Sequence, residues 1–318
     1  MTPIRFFRAG RLASVLDAHF HLFANPYRIP PGTSEANNIG KRLDNIIVIT
    51  PIRVLWICGY VMKVGGLFSD YDGTLCPLEV RREDAYLSPI LRRQLTRVSK
   101  AVPLGIVTTK DLAFIRERVP FAHGIAGSCG LEMQVGEKAT VDERVQEPNE
   151  NFQKTYQEVL KKVLQTRENL MIERKESDDE NLIAFCIDWR LARNWDEAKR
   201  RAAPLLAYCK EKGLYVVESD ISPFANVYPL KVDKGEAFRK LKESMGVQGP
   251  AIYLGDSEVD DPAFQLAEIS IGVKHRRVMP KLQCKYRIEF FEMENLLSKL
   301  LDSGFDFQED MVQRNENV

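Results

Sequence analysis

The stretch GGLFSDYDGTLCP, residues 65–77, decides the fold of this chain. It begins as an apolar run typical of a buried β-strand, and the run ends in two acidic residues, Asp70 and Asp72, followed by a Gly-Thr turn. Two carboxylates so close together repel each other and are costly to desolvate, so solvent or a positive charge must lie beside them. The stretch therefore predicts a core strand that carries two acids to the edge of a sheet.

From Met62 onward, strand and helix patterns alternate. This order predicts an α/β fold, a doubly wound and mostly parallel sheet with helices on both faces. Apolar runs without alternation, such as residues 104–107 and 251–254, are typical of strands buried on both sides. Ser88 and Pro89 predict the start of a helix. We expect the core domain to comprise residues 62–144 and 229–302.

Between residues 145 and 228 the pattern changes to helix–strand–strand–helix–strand–strand. This order predicts a smaller α+β domain that is inserted into the core domain. The final segment, residues 303–318, is polar and predicts a flexible tail.

Residues 1–61 form an N-terminal extension of different composition. Its end overlaps the most apolar run of the chain, residues 45–62, which contains Pro51 and Arg53. An arginine near the centre of a membrane-spanning helix costs roughly 2.5–3.5 kcal/mol, so a membrane anchor is disfavoured but stays open as an alternative. Because a strand pattern follows Met62 directly, a start of translation at Met62 is a second open alternative.

The overall composition is that of an ordinary globular protein. Lys+Arg and Asp+Glu each number 45, and 44% of residues are hydrophobic. No global charge favours nucleic acid or an anionic membrane as a partner. The cysteines are scattered, lack the spacing of zinc ligands, and predict reduced thiols in a cytoplasmic protein. They are Cys58, Cys76, Cys129, Cys186, Cys209 and Cys284.

Polar side chains follow several of the predicted strands. Ligands of open parallel sheets bind at the carboxyl ends of the strands, so these residues are the candidate site. The first strand delivers Asp70 and Asp72, the second Thr108, and a later strand Asp256. Lys234 opens the helix after the insertion, and Asp260 lies one turn beyond Asp256. Each feature alone is a common turn or helix cap, and the prediction depends on their coincidence at one edge.

A phosphate ester gives each of these residues a role. Asp70 can attack phosphorus as a nucleophile, and Asp72 can act as general acid and then as general base. Thr108 and Lys234 can hold phosphoryl oxygens. A hard cation such as Mg²⁺ would offset the repulsion between the carboxylates; its predicted ligands are Asp70, Asp256 and, through a nearby backbone carbonyl, Asp72.

The ordered motifs DYDGTL (70–75), Thr108, Lys234 and GDSEVD (255–260) resemble the four motifs of the haloacid dehalogenase superfamily of phosphotransferases. The resemblance covers about residues 64–290, and the insertion is similar to the type IIB cap of sugar phosphatases. Within that superfamily the chain is most similar to the trehalose-6-phosphate phosphatases. The stretches that carry this similarity are DYDGTLCP, AGSCGLE, ERKESDDENLIAFCIDWR, VDKGEAF and GDSEVDDPAF.

This resemblance implies a Rossmannoid core with an inserted cap, and a Mg²⁺-dependent phosphatase that acts through an aspartyl-phosphate intermediate. The implied reaction converts trehalose 6-phosphate into trehalose and phosphate in trehalose biosynthesis. It also implies that Glu173, Lys175 and Arg190 of the cap grip sugar hydroxyls. Asp260 would support the metal ligands, and further substrate contacts would come from Gly73, Thr109, Lys110 and Glu132.

The chain departs from the family pattern at three places. Thr108-Thr109-Lys110 replaces Ser-Gly-Arg, Cys129 replaces a histidine, and GDSEVDD replaces GDDxTDE. Both catalytic aspartates are retained, so phosphatase chemistry is better supported than the disaccharide substrate. The open alternatives are a phosphatase for glycosyl-3-phosphoglycerate, sucrose phosphate or a sugar monophosphate, a phosphomutase, and a non-catalytic regulatory module. A cognate sugar-phosphate synthase is a candidate partner.

Overall fold

The computed structural model describes residues 61–165, 170–275 and 281–316. The predicted extension and the apolar run at residues 45–62 therefore lie outside the described residues, except at their last positions. Within the described ranges, no helix combines the length and apolarity needed to cross a bilayer. The described cysteines are free and buried.

The strands of the central sheet are β2 (Gly66–Ser69), β3 (Leu104–Val107), β4 (Gly124–Gly127), β5 (Glu132–Val135), β6 (Lys138–Val141), β11 (Ala251–Gly255), β12 (Ile269–Lys274), β13 (Tyr286–Glu289) and β15 (Gln313–Arg314). Their order across the sheet is β15-β13-β12-β11-β2-β3-β4-β5-β6. The run from β13 to β4 is parallel, and the outer pairings are antiparallel, which confirms the predicted mostly parallel α/β architecture.

Register places the functional segments side by side. Ser69 at the end of β2 lies opposite Leu254 in β11 and Ile106 in β3. The residues that follow these three strands therefore emerge at the same edge of the sheet.

Helices cover both faces of the central sheet. Neighbouring residues of β2 point to opposite sides: Leu67 belongs to one apolar cluster and Phe68 to the other. The first face is covered by α1 (Pro89–Ala101), α2 (Leu112–Arg118) and α7 (Met293–Asp302), and the second by α5 (Lys234–Ser244) and α6 (Asp261–Leu266). The predicted cap of α1 is present, because the Ser88 side chain accepts a hydrogen bond from the Leu91 N–H at 3.0 Å; such caps stabilise by about 1 kcal/mol.

A second, antiparallel sheet lies within the range predicted for the insertion, and we call residues 145–228 the cap. Its strand order is β7-β8-β10-β9, from β7 (Met171–Glu176), β8 (Leu182–Asp188), β9 (Tyr215–Glu218) and β10 (Phe224–Tyr228). Helices α3 (Glu150–Gln165) and α4 (Trp195–Glu211) pack on this sheet around Phe152, Phe185 and Trp189. The element order is the α-β-β-α-β-β order of the sequence pattern.

The C-terminal segment differs from the predicted flexible tail. In its described part, β14 (Asp306–Phe307) pairs with β1 (Met62–Lys63), and β15 pairs with β13. Phe305 and Phe307 are buried, and the Asn315 side chain donates to the backbone carbonyls of Leu282 and Cys284. Although the overall composition of the segment is polar, the two buried phenylalanines and the Asn315 amide join it to the core.

Candidate active site

Four charged side chains meet at the carboxyl edge of the central sheet. Asp70 follows β2, Asp256 follows β11, Asp260 lies in the short 3₁₀ turn Glu258–Asp260, and Lys234 is the first residue of α5. We call these four residues the core cluster. All four side chains are buried.

Lys234 lies at the centre of the core cluster. Its Nζ is 3.0 Å from Asp70 Oδ1 and 2.8 Å from Asp260 Oδ1. Burial lowers the pKa of Lys234, but the two carboxylates outweigh that effect and raise it well above its ordinary value. The lysine is therefore a permanent cation at this edge of the sheet.

Asp260 mainly organises its neighbours. Its Oδ1 also accepts a hydrogen bond from the Tyr253 hydroxyl at 2.9 Å. Its Oδ2 accepts from the backbone N–H groups of Asp256 and Ser257, at 3.2 Å each. These bonds fix the backbone that presents Asp256, and the predicted support of metal ligands by Asp260 stays a prediction.

The core cluster carries excess negative charge, since three carboxylates face one lysine. Burial raises the pKa of Asp70 to about 7, although Lys234 lowers it. Burial, together with Asp70 and Asp260, raises the pKa of Asp256 well above its ordinary value. Close carboxylates in a dry site resist simultaneous ionisation, and a bound cation removes that cost.

Gly73 gives the Asp256 carboxylate its space. A Cβ atom added to Gly73 would lie 1.9 Å from Asp256 Oδ2, and the φ angle of Gly73 is +80°, in the left-handed region. Glycine adopts this conformation without steric cost. The glycine of the DYDGTL motif thus serves both the turn and the close approach of a carboxylate; its predicted contact with substrate stays a prediction.

The core cluster fits a divalent cation. One oxygen from each of Asp70, Asp256 and Asp260 lies within 4.8 Å of the others, and Asp256 Oδ2 is buried without a hydrogen-bond partner among the described residues. Hard cations such as Mg²⁺ take oxygen ligands of this kind. The Asp72 carboxylate is not part of this group of oxygens, and the predicted ligation through a backbone carbonyl near Asp72 stays a prediction.

Asp72 instead faces cations on its other side. Lys110 Nζ from the core is 3.2 Å from Asp72 Oδ2, and Arg190 Nη2 from the cap is 3.7 Å from the same oxygen. Arg190 also donates through Nε to Asp188 at 2.6 Å. The Asp72 carboxyl group therefore lies between a cation of the core and a cation of the cap.

Cap residues continue this set of ion pairs. Glu173 in β7 is bound by Arg82 through one carboxylate oxygen and by Lys110, at 3.3 Å, through the other. Burial alone would raise the pKa of Glu173, but Lys110, Lys175 and Arg82 lower it to about 2. We call the whole set the interface network; its members are Asp72, Arg82, Lys110, Asp111, Glu173, Lys175, Asp188 and Arg190.

Lys175 ties the cap to the loop after β3. Its Nζ donates to the Thr109 backbone carbonyl at 2.6 Å and to the side-chain oxygen of Asn226. Its side chain is buried. In this arrangement Lys175 joins cap and core, and its predicted contact with sugar hydroxyls stays a prediction.

A narrow cleft lies between core and cap, and its cavity volume of about 20 Å³ is well below the roughly 300–1,000 Å³ typical of small-molecule sites. The core lines it with Asp70, Asp72, Thr109, Lys234, Asp256, Ser257 and Val259, and the cap with Val217, Ser219, Ser222, Phe224 and Asn226.

Thr108 and Glu132 lie behind the cleft rather than on its wall. The other predicted residues that do not line it are Gly73, Lys110, Glu173, Lys175, Arg190 and Asp260. Thr108 is fully buried, and its hydroxyl oxygen accepts from the Lys110 N–H at 3.2 Å. The Glu132 carboxylate accepts from the N–H of Leu112 at the start of α2 at 3.0 Å and from the hydroxyl of Ser128. The Glu132 carboxylate supports the loop after β3, because it accepts a hydrogen bond from the Leu112 N–H at the end of that loop.

Sequence reasoning missed the cap side of the cleft and three members of the interface network, Arg82, Asp111 and Asp188. Ser219 and Ser222 lie between β9 and β10 in the stretch SDISP, which has the composition of an ordinary turn. Asp188 precedes Arg190 by two residues at the end of a strand, the same arrangement of acid and strand end that drew attention to Asp70. Arg82 lies in a charged loop and gave no pattern that would have separated it from Arg81.

Comparison with known proteins gives a consistent result. The family model for trehalose-phosphatase matches residues 68–278. The chain is 25% identical over 210 residues to a probable trehalose-phosphate phosphatase 4 of Oryza sativa subsp. japonica, covering 63% of this chain and 54% of that protein. It is 26% identical over 216 residues to a probable trehalose-phosphate phosphatase E of Arabidopsis thaliana, covering 63% and 58%. The chain thus spans a little over half the length of these two relatives.

A solved structure shares the fold. The C-terminal domain of C. albicans trehalose-6-phosphate phosphatase aligns with a TM-score of 0.62 at 18% sequence identity, covering 75% of this chain and 93% of that one. The structural likeness supports the core-plus-cap architecture, and the match of the family model covers both the motifs and the cap.

Proposed function

The chain belongs to the trehalose-phosphatase family, and we propose that it hydrolyses a sugar phosphate monoester, with trehalose 6-phosphate as the preferred substrate. One observation carries the proposal: Asp70, Asp256 and Lys234 converge at one sheet edge, and cap side chains close over them. Family membership supports the sugar phosphate class, and the enclosed cleft supports a substrate that binds between two domains.

The first step of the proposed reaction is attack by Asp70 on phosphorus. A new bond forms between its carboxylate oxygen and phosphorus while the bond from phosphorus to the sugar oxygen breaks. Asp72 gives its proton to the departing sugar oxygen, so that a neutral alcohol leaves. Lys234, 3.0 Å from Asp70 Oδ1, fixes the carboxylate and places a positive charge beside the phosphoryl group.

The second step returns the enzyme to its starting state. Asp72, now a carboxylate, takes a proton from water as the water oxygen attacks phosphorus. The bond between phosphorus and Asp70 breaks and inorganic phosphate leaves. The acid and base roles of Asp72 are exchanged between the two steps, as in other reactions with a covalent intermediate.

The proposed cation is Mg²⁺, held by Asp70 and Asp256. A bound Mg²⁺ would neutralise negative charge on the phosphoryl oxygens. The excess negative charge of the core cluster and the buried, unpartnered Asp256 Oδ2 support this assignment. Asp260, already bonded to Lys234, Tyr253 and two backbone N–H groups, supports the ligands from behind.

A panel of sugar phosphates tests the proposal. Phosphate release should be measured with trehalose 6-phosphate, sucrose phosphate, a glycosyl-3-phosphoglycerate, glucose 6-phosphate and p-nitrophenyl phosphate, each with Mg²⁺. The highest kcat/KM is expected for trehalose 6-phosphate. A higher kcat/KM for another sugar phosphate would identify that compound as the preferred substrate. No phosphate release from any of them would favour the non-catalytic module.

A phosphomutase is separated by its product. It would return an isomeric sugar phosphate and release little inorganic phosphate, so chromatography of the products distinguishes the two reactions. The cytoplasmic location, the absence of a nucleic-acid partner and the association with a sugar-phosphate synthase stay predictions from the sequence.

A further inference from the structure

The cap rests on a short segment of the core that follows the DYDGTL motif. Leu78 packs against Cys186 and Phe224 of the cap. The Val80 carbonyl accepts a hydrogen bond from Arg190 Nη1 at 3.0 Å. Arg82 lies two residues further along the chain and also contacts the cap. Every second residue of the segment thus meets the cap: Leu78 through an apolar side chain, Val80 through a carbonyl and Arg82 through a cation.

Arg82 binds both domains at once. One terminal nitrogen of its guanidinium donates to Glu173 of the cap, and the other donates to Asp111 of the core. The planar fork of an arginine suits such a double contact, and a lysine cannot reproduce it. The guanidinium carbon also lies 4.4 Å from the centre of the Phe114 ring.

The burial of these groups makes the contact more than a surface ion pair. The side chain of Arg82 is 29% exposed, that of Glu173 10% and that of Asp111 7%. Exposed pairs contribute little, whereas removing one partner of a buried pair leaves an uncompensated charge. Loss of Arg82 would therefore leave two buried carboxylates without one of their cations.

The contact reaches toward the reacting groups through Glu173. Its second carboxylate oxygen faces Lys110 Nζ at 3.3 Å, and that ammonium is 3.2 Å from Asp72 Oδ2. A carboxylate has about four acceptor sites, so Glu173 retains capacity for a sugar hydroxyl while both of its oxygens are oriented by cations. Arg82 thus sets the orientation of Glu173, a residue that in this structure lies beside the cleft lining and not in it.

We propose that Arg82 is a positioning residue that holds the cap closed on the core and orients the Glu173 carboxylate beside Lys110 and Asp72. Its catalytic consequence rests on the proposed function. Its structural consequence, cap closure, does not, and the two are measured separately.

The kinetic test compares Arg82→Ala with Arg81→Ala. Arg81 is the neighbouring residue; its side chain is 58% exposed and 4.0 Å from Glu83. Arg82→Ala is expected to lower kcat/KM for trehalose 6-phosphate by roughly 10- to 100-fold, mainly through KM, because a misplaced binding group costs that much. The loss should exceed that for p-nitrophenyl phosphate, which has no sugar to grip, by at least about tenfold. Arg81→Ala should change neither substrate by more than about twofold.

Two further variants examine the contact itself. Arg82→Lys keeps the charge without the fork, so its KM should lie between those of the wild type and Arg82→Ala. In a Glu173→Gln background, Arg82→Ala should add much less than it does alone, because the two residues share one contact. Full additivity of the two changes would contradict the proposal.

Hydrogen exchange measures cap closure without any substrate. Arg82→Ala should accelerate amide exchange in residues 171–176 of β7 and in residues 78–82, while Arg81→Ala should not. If the wild type hydrolyses none of the tested phosphates, the proposed function fails, and exchange alone then decides the role of Arg82. If Arg82→Ala does not fold by circular dichroism, Arg82→Lys carries both measurements. Unchanged exchange together with unchanged KM overturns the proposal.

Discussion

The core cluster and the interface network are both sets of buried charges, but their charge balance differs. The core cluster places three carboxylates around Lys234. The interface network contains four carboxylates and four cations from both domains; three of the cations form ion pairs, and Lys175 donates to Thr109 and Asn226. In the core cluster one lysine faces three carboxylates, so part of their negative charge has no cationic partner in the described part of the chain. In the interface network, carboxylates and cations are present in equal number.

This difference in charge balance distinguishes the residues of the core cluster, which are proposed to take part in the reaction, from the contacts that hold the cap on the core. Buried charges are tolerated when they are paired, so the interface network can hold the cap in place by itself. The core cluster lacks such pairing, and a divalent cation and a phosphoryl group are the partners that its oxygens and its lysine suit. Substitutions in the core cluster and at the proposed acid and base Asp72 should therefore abolish reaction, while substitutions elsewhere in the interface network should alter substrate affinity and cap motion.

The largest effect is expected for Asp70→Asn. The amide cannot act as the nucleophile, so kcat for phosphate release should fall by roughly a thousandfold or more. Circular dichroism and a thermal melt should show a folded protein. Asp220→Asn, at a side chain that is 93% exposed, is the control and should retain activity. Substantial turnover by Asp70→Asn would remove the nucleophile assignment.

Metal removal is expected to have the next largest effect. EDTA should stop phosphate release and Mg²⁺ should restore it. Because a ligand that binds only the folded state stabilises it, Mg²⁺ at about 100 times its Kd should raise the free energy of unfolding by about 2.7 kcal/mol. Thermal melts should show this increase in the wild type and in Asp306→Asn, a surface variant, but not in Asp256→Asn. An equal Mg²⁺ effect in Asp256→Asn would contradict the proposed ligand set.

A matched pair of glycine substitutions tests the space around Asp256. Gly73 and Gly136 have φ angles of +80° and +60°, so alanine at either position carries a left-handed cost of roughly 1–2 kcal/mol. Within the described structure, the added Cβ at Gly136 meets no atom within 4 Å, whereas at Gly73 it meets the Asp256 carboxylate. Gly73→Ala should therefore lose Mg²⁺ affinity and at least about tenfold in kcat/KM. Gly136→Ala should lose only stability in a thermal melt, and equal activity losses in both variants would refute the interpretation.

The smallest effect on activity is expected for Glu132, whose role concerns stability. It is a buried carboxylate that belongs to neither set and has no ion-pair partner among the described residues. Burial raises its pKa from 4.5 to about 7. Between these values the folded state holds a proton that the unfolded state has released, so the free energy of unfolding falls as pH rises, by up to about 1.4 kcal/mol per pH unit. Urea unfolding from pH 4.5 to 7.5 should show a flatter dependence for Glu132→Gln. An unchanged slope would show that Glu132 does not carry this dependence.

The elements of the core domain could be predicted from the sequence because the patterns that specify them are local. Apolar runs gave the parallel strands, Ser88 gave a helix start, and the strand ends gave Asp70 and Asp256. The register of a parallel sheet then brings strand ends to one edge, so residues far apart along the chain could be grouped without coordinates.

The cap side of the site was not accessible in the same way. Contacts between Arg82 and Glu173, or between Lys175 and Thr109, join residues 91 and 66 positions apart and follow no periodicity. Composition also misled at the C-terminus, where buried Phe305 and Phe307 join a polar segment to the core. A buried position depends on what packs against it, and that partner is not encoded in the neighbouring sequence.

By itself, the sequence determined the mostly parallel sheet, the place of the acids at its edge and the phosphotransferase motifs, because these depend on local patterns and on the geometry common to parallel sheets. Only the tertiary structure decided which carboxylates share a cation and which are paired with arginine and lysine. The reason is electrostatic: the charge balance of a buried group is set by every side chain within a few ångströms, whatever its distance along the chain.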